Sequence, residues 1–317
     1  MNDSAGTGRG GAGDVLDEPL DCAIVGGGAA GLTAAVYLAR FRRRIEVFDG
    51  ASSRLLTIPT SHNYPGFAEG IQGPDVLKHL RAQVAHYEVP LQAVSVDRLE
   101  RTGDGGFVLG AQKQSWRART VLLATGVTDV APPFPDVEAA IAVGCLRYCP
   151  VCDGYEARGK RVAVLGRGAS GLQEAIFVRH YAAQVHLCAL DEALQLDEDG
   201  QRALAEADVQ MLAAPVTGLA LHEGSPAGME LMLGDGTQAH YDVVYSALGT
   251  LVNSGLAQVL GARCGGNGEL EVDAHQQTSV DGLYAAGDLV AGLNQIVVAM
   301  GQAAIAATAI HNRLRKM

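Results

Sequence analysis

Two copies of the pattern Gly-x-Gly-x-x-Gly constrain the fold of this 317-residue chain more than any other feature. Each copy follows a short apolar run that predicts a buried parallel strand, and each precedes a segment that predicts a helix. In such a unit the first glycine permits a sharp turn, the second lets the backbone approach a pyrophosphate, and the third lets helix and strand pack closely. The chain is therefore predicted to contain two dinucleotide-binding units. Their glycines are Gly26, Gly28 and Gly31 in the first unit and Gly166, Gly168 and Gly171 in the second.

Each unit has an acidic residue at the position where dinucleotide-binding domains bind a ribose hydroxyl. Asp49 and Asp191 each lie about 20 residues beyond the last glycine of their unit, close to the end of the next predicted strand. The segment from Asp191 to Asp199 carries five acidic residues and no basic one, so it repels a 2′-phosphate. The second unit therefore favours NADH over NADPH. The alternative is a relic domain whose glycine loop binds no dinucleotide.

The apolar pattern predicts further elements around the two units. A helix is predicted over residues 74–86, and two strands at a sheet edge are predicted over 94–97 and 106–110. Buried strands that end in a glycine turn are predicted over 120–126 and 241–249. A proline-rich crossing between the two units predicts a linker, and a long apolar helix is predicted near the C-terminus.

The bulk composition excludes several classes of protein. The net charge of −11 argues against nucleic acid or an anionic membrane as the main partner. No apolar run reaches the ~18 residues of a membrane span. Residues 1–19 lack the apolar core of a signal peptide and predict a disordered tail. Six cysteines in a long chain with no export signal do not describe a disulfide scaffold, so we expect a cytoplasmic protein with mostly reduced thiols.

One cysteine pair differs from the other cysteines in its spacing. Cys149 and Cys152 are separated by two residues just ahead of the second glycine loop, and Asp153 follows directly. A dithiol between two dinucleotide units predicts electron transfer through a flavin to a disulfide, with Asp153 as proton donor and acceptor for the leaving thiolate. Metal binding is the alternative, because the pair supplies two of four zinc ligands and Cys145 completes the spacing of a radical-SAM iron–sulfur site. The mid-chain position disfavours that site, and we expect no metal.

With these motifs in this order, the chain resembles the low-molecular-weight thioredoxin reductases over nearly its whole length. The segments that carry the resemblance are Gly26–Gly31, Asn63–Gly66, Thr125–Gly126, Cys149–Gly154 and Ala285–Asp288. The resemblance implies FAD as a cofactor. The residues that it assigns to FAD binding are Gly26, Gly28, Ala29, Ala30, Gly31, Asp49, Arg54, Leu55, Asn63, Thr125, Gly126, Gly287, Asp288, Gln295 and Ile296.

The resemblance also implies an architecture. It is an α/β, three-layer fold made of two Rossmann-like dinucleotide-binding domains. The FAD-binding domain is discontinuous, over residues 20–127 and 250–317. An NAD(P)-like domain over 128–249 is inserted into it and carries the redox site. The family usually forms homodimers, so a homodimer is expected.

The function that the resemblance implies is that of an FAD-dependent oxidoreductase acting on a sulfur group. Cys152 would face the flavin, Cys149 would exchange with an external disulfide, and Asp153 would handle the protons. The expected substrate is a thioredoxin-like protein or a small dithiol or disulfide. A flavin redox sensor that uses the same dithiol is the non-enzymatic alternative.

The chain departs from the family at the electron-donor site and near the flavin. The family's basic stretch, His-Arg-Arg-x-x-x-Arg, falls on residues 189–195, where no basic residue remains. Arg54 stands within the family's Gly-Gly-Gln-Leu segment, where its charge would stabilise an anionic flavin or pair with a phosphate. These departures disfavour NADPH and point to NADH, ferredoxin or reduced flavin as donor, or to a dithiol oxidase that runs in the opposite direction.

Overall fold

The structure is a computed structural model that describes residues 18–190, 194–222 and 227–317. The predicted disordered tail, residues 1–19, lies almost wholly outside these described residues. Of the helices in the described part of the chain, none combines the length and the apolar character that crossing a membrane requires.

The chain divides into two compact units, and each is made of separate stretches of sequence. The first unit comprises the described residues up to Ser53, Leu80–Gly126 and Val252–Met317. The second unit comprises Arg54–His79 and Val127–Leu251. The segment Arg54–His79, which the sequence analysis assigns to the FAD-binding domain, therefore groups with the second unit.

Strands dominate the described part of the chain, and helices connect them. In chain order, the strands are β1 (Leu20–Val25), β2 (Ile45–Phe48), β3 (Leu91–Gln92), β4 (Arg98–Arg101), β5 (Phe107–Ala111), β6 (Gln114–Leu123), β7 (Val127–Asp129), β8 (Leu146–Arg147), β9 (Arg161–Gly166), β10 (Gln184–Cys188), β11 (Gln210–Met211), β12 (Val216–His222), β13 (Gly228–Leu233), β14 (Gln238–Tyr241), β15 (Val243–Ala247), β16 (Thr250–Val252) and β17 (Leu283–Ala285). The α-helices are α1 (Ala29–Arg40), α2 (Gly73–His86), α3 (Val137–Ala142), α4 (Pro150–Asp153), α5 (Gly168–Arg179), α6 (Glu198–Glu206), α7 (Gly255–Val259) and α8 (Ile296–Leu314).

A seven-stranded sheet forms the centre of the first unit, in the order β3-β2-β1-β6-β5-β4 with β17 also beside β6. Strands β1, β2, β3 and β17 run parallel to their neighbours, whereas β4 and β5 form an antiparallel extension. Alternate residues of β1 point to opposite faces of the sheet. Cys22 and Ile24 on one face and Ala23 and Val25 on the other are all nearly inaccessible to solvent, so β1 is buried on both faces.

A five-stranded parallel sheet, in the order β11-β10-β9-β15-β8, forms the centre of the second unit. Alternate residues of β9 belong to two different cores. Val162 and Val164 pack with residues of α5, whereas Ala163 and Leu165 pack with residues of β12 and β13. Layers therefore cover both faces of this sheet, and the predicted α/β class with parallel, Rossmann-like sheets is confirmed.

Some of the predicted elements differ from the structure. Residues 94–97 form no strand, although their alternation is real and Val96 is buried. The alternation of apolar and polar residues identifies which side chain is buried. A strand also needs a neighbouring strand to pair with, and the alternation does not show whether one is present. The predicted strand over 241–249 is shorter, because β14 ends at Tyr241 and β15 begins at Val243. The antiparallel sheet β12-β13-β14 was not predicted.

Candidate active site

The first glycine loop connects β1 to α1, and its geometry admits only glycine at two positions. Gly26 has a positive φ of 116°, and a Cβ there would collide with the Ala124 carbonyl. A Cβ on Gly31 would collide with the Gly26 carbonyl oxygen. Helix α1 therefore approaches β1 at backbone contact distance, as the fingerprint requires.

The middle glycine of this loop, Gly28, has room for a Cβ without a collision. Gly28 caps the N-terminus of α1 with no side-chain hydrogen bond, and the nearest atom to a Cβ there would be the Ser53 hydroxyl oxygen at 3.4 Å. Ala29 and Ala30 begin the helix. The first amides of an α-helix lack partners inside the helix, so this end is suited to a phosphate.

Asp49 lies at the end of β2 with its carboxylate already oriented. Its two oxygens accept hydrogen bonds from the Ala51 backbone N–H at 2.9 Å and from Arg81 Nη2 at 2.8 Å. A carboxylate oxygen has two lone-pair positions, so Asp49 retains acceptor capacity for a ribose hydroxyl.

Two further segments of the first unit, around Gly287 and at the start of α8, contain further residues predicted to bind FAD. Gly287 has a positive φ of 92°, its N–H donates to Gln302 Oε1 at 2.8 Å, and a Cβ there would lie 3.1 Å from Ala30 Cβ. The half-buried Asp288 follows it, and Gln295 and Ile296 begin α8. These residues fit FAD. The glycine loop lets the backbone approach a pyrophosphate, and the Asp49 carboxylate is oriented to accept a hydrogen bond from a ribose. Gly287 packs closely against the start of α1.

The turn after β6 belongs to the same unit and is tied to the chain beyond residue 252. Thr125 Oγ1 donates to the Asn253 carbonyl at 2.6 Å, and Asn253 Nδ2 donates to the Thr125 carbonyl at 3.0 Å. Gly126 has a positive φ of 61°. The predicted FAD residues Thr125 and Gly126 are thus held in a turn by Asn253, a residue that the sequence analysis did not single out.

The redox pair lies in the second unit. Cys149 and Cys152 form a disulfide with their Cα atoms 5.3 Å apart, and Cys149 caps the short helix α4. Both sulfurs are thereby bonded to each other, so they are not arranged as ligands of zinc or iron. Among residues 18–190, 194–222 and 227–317, no group of three or more His, Cys, Asp or Glu side chains is placed to hold a metal.

Two side chains hold the carboxyl group of Asp153, the last residue of α4. The Tyr245 hydroxyl donates to Asp153 Oδ1 at 2.7 Å, and Arg147 Nε lies 3.7 Å from Asp153 Oδ2. Arg147 also donates from Nη1 to the Asp153 carbonyl at 3.0 Å. Burial raises the pKa of Asp153 above that of an ordinary aspartate, and Arg147 and Tyr245 oppose this shift only in part. Asp153 therefore keeps its proton to a higher pH, as a proton donor beside a dithiol must.

A second carboxyl group lies close to Asp153. Glu174 is on α5, and burial together with the charge of Asp153 raises its pKa from 4.5 to about 7. Its Oε1 atom is buried and has no hydrogen-bond partner. Gly154 directly follows α4 and lies against the turn after α5: a Cβ there would lie 2.5 Å from the Pro150 carbonyl oxygen and 3.0 Å from the Tyr181 ring.

The raised pKa of Glu174 gives a stability prediction. The folded state binds this proton more tightly than the unfolded chain, so the wild-type protein loses stability as pH rises from 4.5 to about 7. The Glu174→Gln variant lacks this loss. We expect the variant to gain on the wild type by at most about 3 kcal/mol across that window, measured by urea unfolding at about pH 5 and about pH 8. Glu138→Gln, on an exposed site of α3, should show no such gain, and parallel pH curves for Glu174→Gln and wild type would contradict the prediction.

The second glycine loop has the local packing of a dinucleotide loop. A Cβ on Gly166 or on Gly171 would collide with the backbone of the other, so β9 and α5 meet closely. Gly168 has a positive φ of 52° with open space around it. Asp191, the predicted ribose partner, lies outside the described residues.

The structure places three predicted FAD residues in the second unit. Arg54 makes a bidentate ion pair with Asp129 at 2.7 and 2.6 Å, so its charge is already matched by a carboxylate. Leu55 is buried in the same 3-10 helix. Asn63 donates from Nδ2 to the carbonyl of Val151, between the two redox cysteines, at 3.3 Å.

Sequence analysis did not identify the residues around Asp153. Arg147, Glu174 and Tyr245 come from β8, α5 and β15, which are far apart in the chain. Tyr245 is a fully buried hydroxyl in the mainly apolar β15, and Glu174 is a charged, partly buried residue on the helix side that carries Gly171, Ala175 and Val178. Both are local departures from an apolar pattern, and such departures are the signal that could have marked them.

Comparisons with known proteins agree with this site. Residues 20–303 match the family described as pyridine nucleotide-disulphide oxidoreductase. The chain is 32% identical over 285 residues to a thioredoxin reductase of Mycolicibacterium smegmatis, which covers 85% of this chain and 88% of that protein.

Two solved structures are also similar to the chain. One is thioredoxin reductase from Streptococcus pyogenes, 27% identical with a TM-score of 0.85 over 94% of this chain and 99% of that one. The other is the atypical thioredoxin reductase TRi from Desulfovibrio vulgaris Hildenborough, 32% identical with a TM-score of 0.52 over 93% of this chain and 98% of that one. With its disulfide beside a carboxyl group of raised pKa, this chain belongs to the pyridine nucleotide-disulphide oxidoreductases and is a thioredoxin-reductase-like FAD oxidoreductase that acts on a sulfur group.

Proposed function

We propose that this protein passes electrons from FAD in the first unit, through the Cys149–Cys152 disulfide, to a thioredoxin-like protein. The observation that carries the proposal is the disulfide at the start of α4 with the proton-holding Asp153 at the end of the same helix. Relatives named thioredoxin reductase support a thioredoxin-like acceptor. A small disulfide is the alternative acceptor.

The residues of the first unit would hold the cofactor. The loop from Gly26 to Gly31 would bind the pyrophosphate at the N-terminus of α1, and Asp49 would accept a hydrogen bond from the ribose of the adenosine. Asp288 and Gln295 would contact the flavin end, as their match to the family motifs implies. Bound FAD would supply the exchange of two electrons between a donor and a disulfide.

The residues of the second unit would carry out the sulfur chemistry. Cys152 would be the sulfur that receives electrons, and Cys149 would attack the external disulfide. A thiol of ordinary pKa is only a few per cent ionised at neutral pH, so a group that accepts and returns its proton accelerates each exchange. Asp153 is that group: Tyr245 donates a hydrogen bond to its carboxyl and the Arg147 guanidinium lies beside it.

NADH is the nicotinamide donor that the chain favours. The first two positions of the family's basic stretch are Ala189 and Leu190, whose side chains are buried and apolar and so cannot bind a 2′-phosphate. Beyond them, Asp197 caps α6 through a 2.8 Å hydrogen bond to the Gly200 N–H, and Asp199 pairs with Arg202. The cap and the ion pair give these two acids a structural role as well, and the ion pair leaves no unpaired base for a phosphate among residues 194–202.

Anaerobic stopped-flow reduction of the flavin tests the donor. We expect NADH to bleach the flavin at least about tenfold faster than NADPH, because Ala189 and Leu190 are apolar and the described residues 194–202 offer a 2′-phosphate no unpaired base. Reduced ferredoxin is the third donor in the same experiment, and thioredoxin added afterwards should reoxidise the enzyme. Faster reduction by NADPH would contradict the proposal for the donor, whereas reduction by ferredoxin alone would mean that the second glycine loop is a relic.

A further inference from the structure

The second unit contains a compact loop over residues 61–71, and the two ends of this loop are bonded to each other. The end residues exchange backbone hydrogen bonds at 2.8 and 3.0 Å, and both are buried. Near the tip, the rings of Tyr64 and Phe67 stack with their centroids 5.6 Å apart. A loop with bridged ends and side chains that pack on each other is well ordered. It therefore holds Asn63 in a defined place.

Two partners orient the amide of Asn63. The Val151 carbonyl can only accept a hydrogen bond, so it faces Asn63 Nδ2, at 3.3 Å. Asn63 Oδ1 accepts from the Ser61 hydroxyl at 3.1 Å. Ser61 is buried and is one end of the bridged loop. The loop thus directs an amide donor at the backbone between the two redox cysteines.

The Val151 carbonyl is part of the short helix α4. The last carbonyls of a helix have no partner within the helix and need one from outside it. In α4, the Pro150 carbonyl accepts from the Gly154 N–H at 2.8 Å, and the Val151 carbonyl accepts from Asn63. Asn63 therefore contributes to the hydrogen bonding that holds the helix of the redox pair.

Val151 also lies where the backbone must adjust when the disulfide opens. The two sulfurs then separate from bonding distance to van der Waals contact, and the two residues between the cysteines take up part of that movement. The ring of Pro150 fixes its φ, so the adjustment falls largely on Val151. A hydrogen bond to the Val151 carbonyl, in the place that this carbonyl has in the disulfide form, favours that form.

We propose that Asn63 is a positioning residue for the redox pair, and that its hydrogen bond to Val151 stabilises the Cys149–Cys152 disulfide relative to the dithiol. The family motif that contains Asn63 implies contact with FAD, so this role beside the disulfide is a second one. The inference deepens the proposed function and rests on it for the identity of the reacting disulfide.

Equilibration with reduced and oxidised dithiothreitol tests the proposal. A dithiothreitol thiolate attacks one sulfur of the pair, a mixed disulfide forms, and the other sulfur leaves with the bonding electrons. The second thiol then closes the cyclic disulfide of the reagent, so dithiothreitol is oxidised, the pair is reduced, and the two protons of the reagent end on the cysteine sulfurs. The protein with its flavin is equilibrated anaerobically at a series of reagent ratios. Alkylation and mass spectrometry of the peptide with both cysteines give the reduced fraction.

The Asn63→Leu variant keeps the bulk of the side chain and lacks its donor. We expect its equilibrium constant for reduction to rise about three- to tenfold, because a hydrogen bond that favours the disulfide is lost. For a two-electron couple this change is about 15–30 mV. Asn63→Gln keeps an amide donor, so its constant should lie closer to that of the wild type than to that of Asn63→Leu. Asn312→Ala, on an exposed site of α8, should leave the constant unchanged.

A double variant shows whether the Ser61 hydroxyl acts through the amide. Ser61→Ala should raise the constant less than Asn63→Leu does, and it should have no further effect when added to Asn63→Leu. FAD content is measured on the same samples. An unchanged constant in Asn63→Leu, with or without loss of FAD, would overturn the proposal. Neither a nicotinamide nor a thioredoxin-like acceptor takes part in the equilibrium, so a failure of the proposed function would leave this result unaffected.

Discussion

Replacing Cys149 with serine should lower disulfide reductase turnover at least about a thousandfold, because the sulfur that exchanges with the acceptor is lost and no other group replaces it. Flavin content should stay unchanged, since the proposed FAD residues of the first unit are untouched. Turnover with a thioredoxin-like acceptor and flavin absorbance measured on the same sample check both statements.

Two further cysteine variants complete this test. Cys152→Ser should lose turnover to the same extent, but only Cys149→Ser should show the long-wavelength absorbance of a thiolate close to the flavin, because Cys152 is the sulfur proposed to face it. Cys264→Ser is the matched control. Cys264 is half-buried and contacts the Ala262 carbonyl, so turnover should stay within about twofold. Substantial turnover in Cys149→Ser would remove the dithiol from the mechanism.

The first glycine loop was predictable from sequence because its constraints are local. Gly26 and Gly31 are required by contacts with residues that the same strand–turn–helix unit brings together, or with the neighbouring strand β6. Such contacts recur wherever the unit occurs, so the sequence pattern carries them. The same holds for the disulfide, whose two cysteines are separated by only two residues.

The environment of Asp153 was not predictable, because it depends on tertiary pairing. Arg147 and Tyr245 meet there because β15 pairs with β8, and their register places Arg147 beside Tyr245. Glu174 lies on α5, a further element of the same unit that contacts α4. The sequence indicates each element, but not which side chains the strand order brings to one carboxyl group.

Arg54 shows how a single contact changes an interpretation. Its position in the sequence suggested a partner for the flavin or a phosphate. In the structure, its guanidinium makes two short hydrogen bonds to Asp129, and the two side chains are only 25% and 13% exposed. A guanidinium held by a bidentate carboxylate offers less charge to a ligand, so a role toward FAD stays a prediction.

Replacing Gly28 with alanine should separate FAD binding from folding. A Cβ at this position would meet nothing closer than the Ser53 hydroxyl at 3.4 Å, so the free energy of unfolding of the apoprotein should change by less than about 1 kcal/mol. The backbone here is where a pyrophosphate must approach, so the methyl group should weaken FAD binding at least about tenfold. FAD titration of the apoprotein, followed by flavin fluorescence, measures the affinity.

Gly31, in the same loop, is the comparison for Gly28, because its substitution should reduce both stability and FAD binding. A Cβ on Gly31 would fall on the Gly26 carbonyl oxygen, so Gly31→Ala must displace α1 from β1 and should cost about 1–3 kcal/mol of stability together with FAD binding. Gly301→Ala, on the exposed side of α8 with open space around it, should keep FAD and gain about 0.4–1 kcal/mol. If Gly28→Ala keeps its affinity for FAD, the first loop does not hold the pyrophosphate. If Gly28→Ala loses as much stability as Gly31→Ala, Gly28 does not accommodate a Cβ and its effect on FAD binding is not separable from folding.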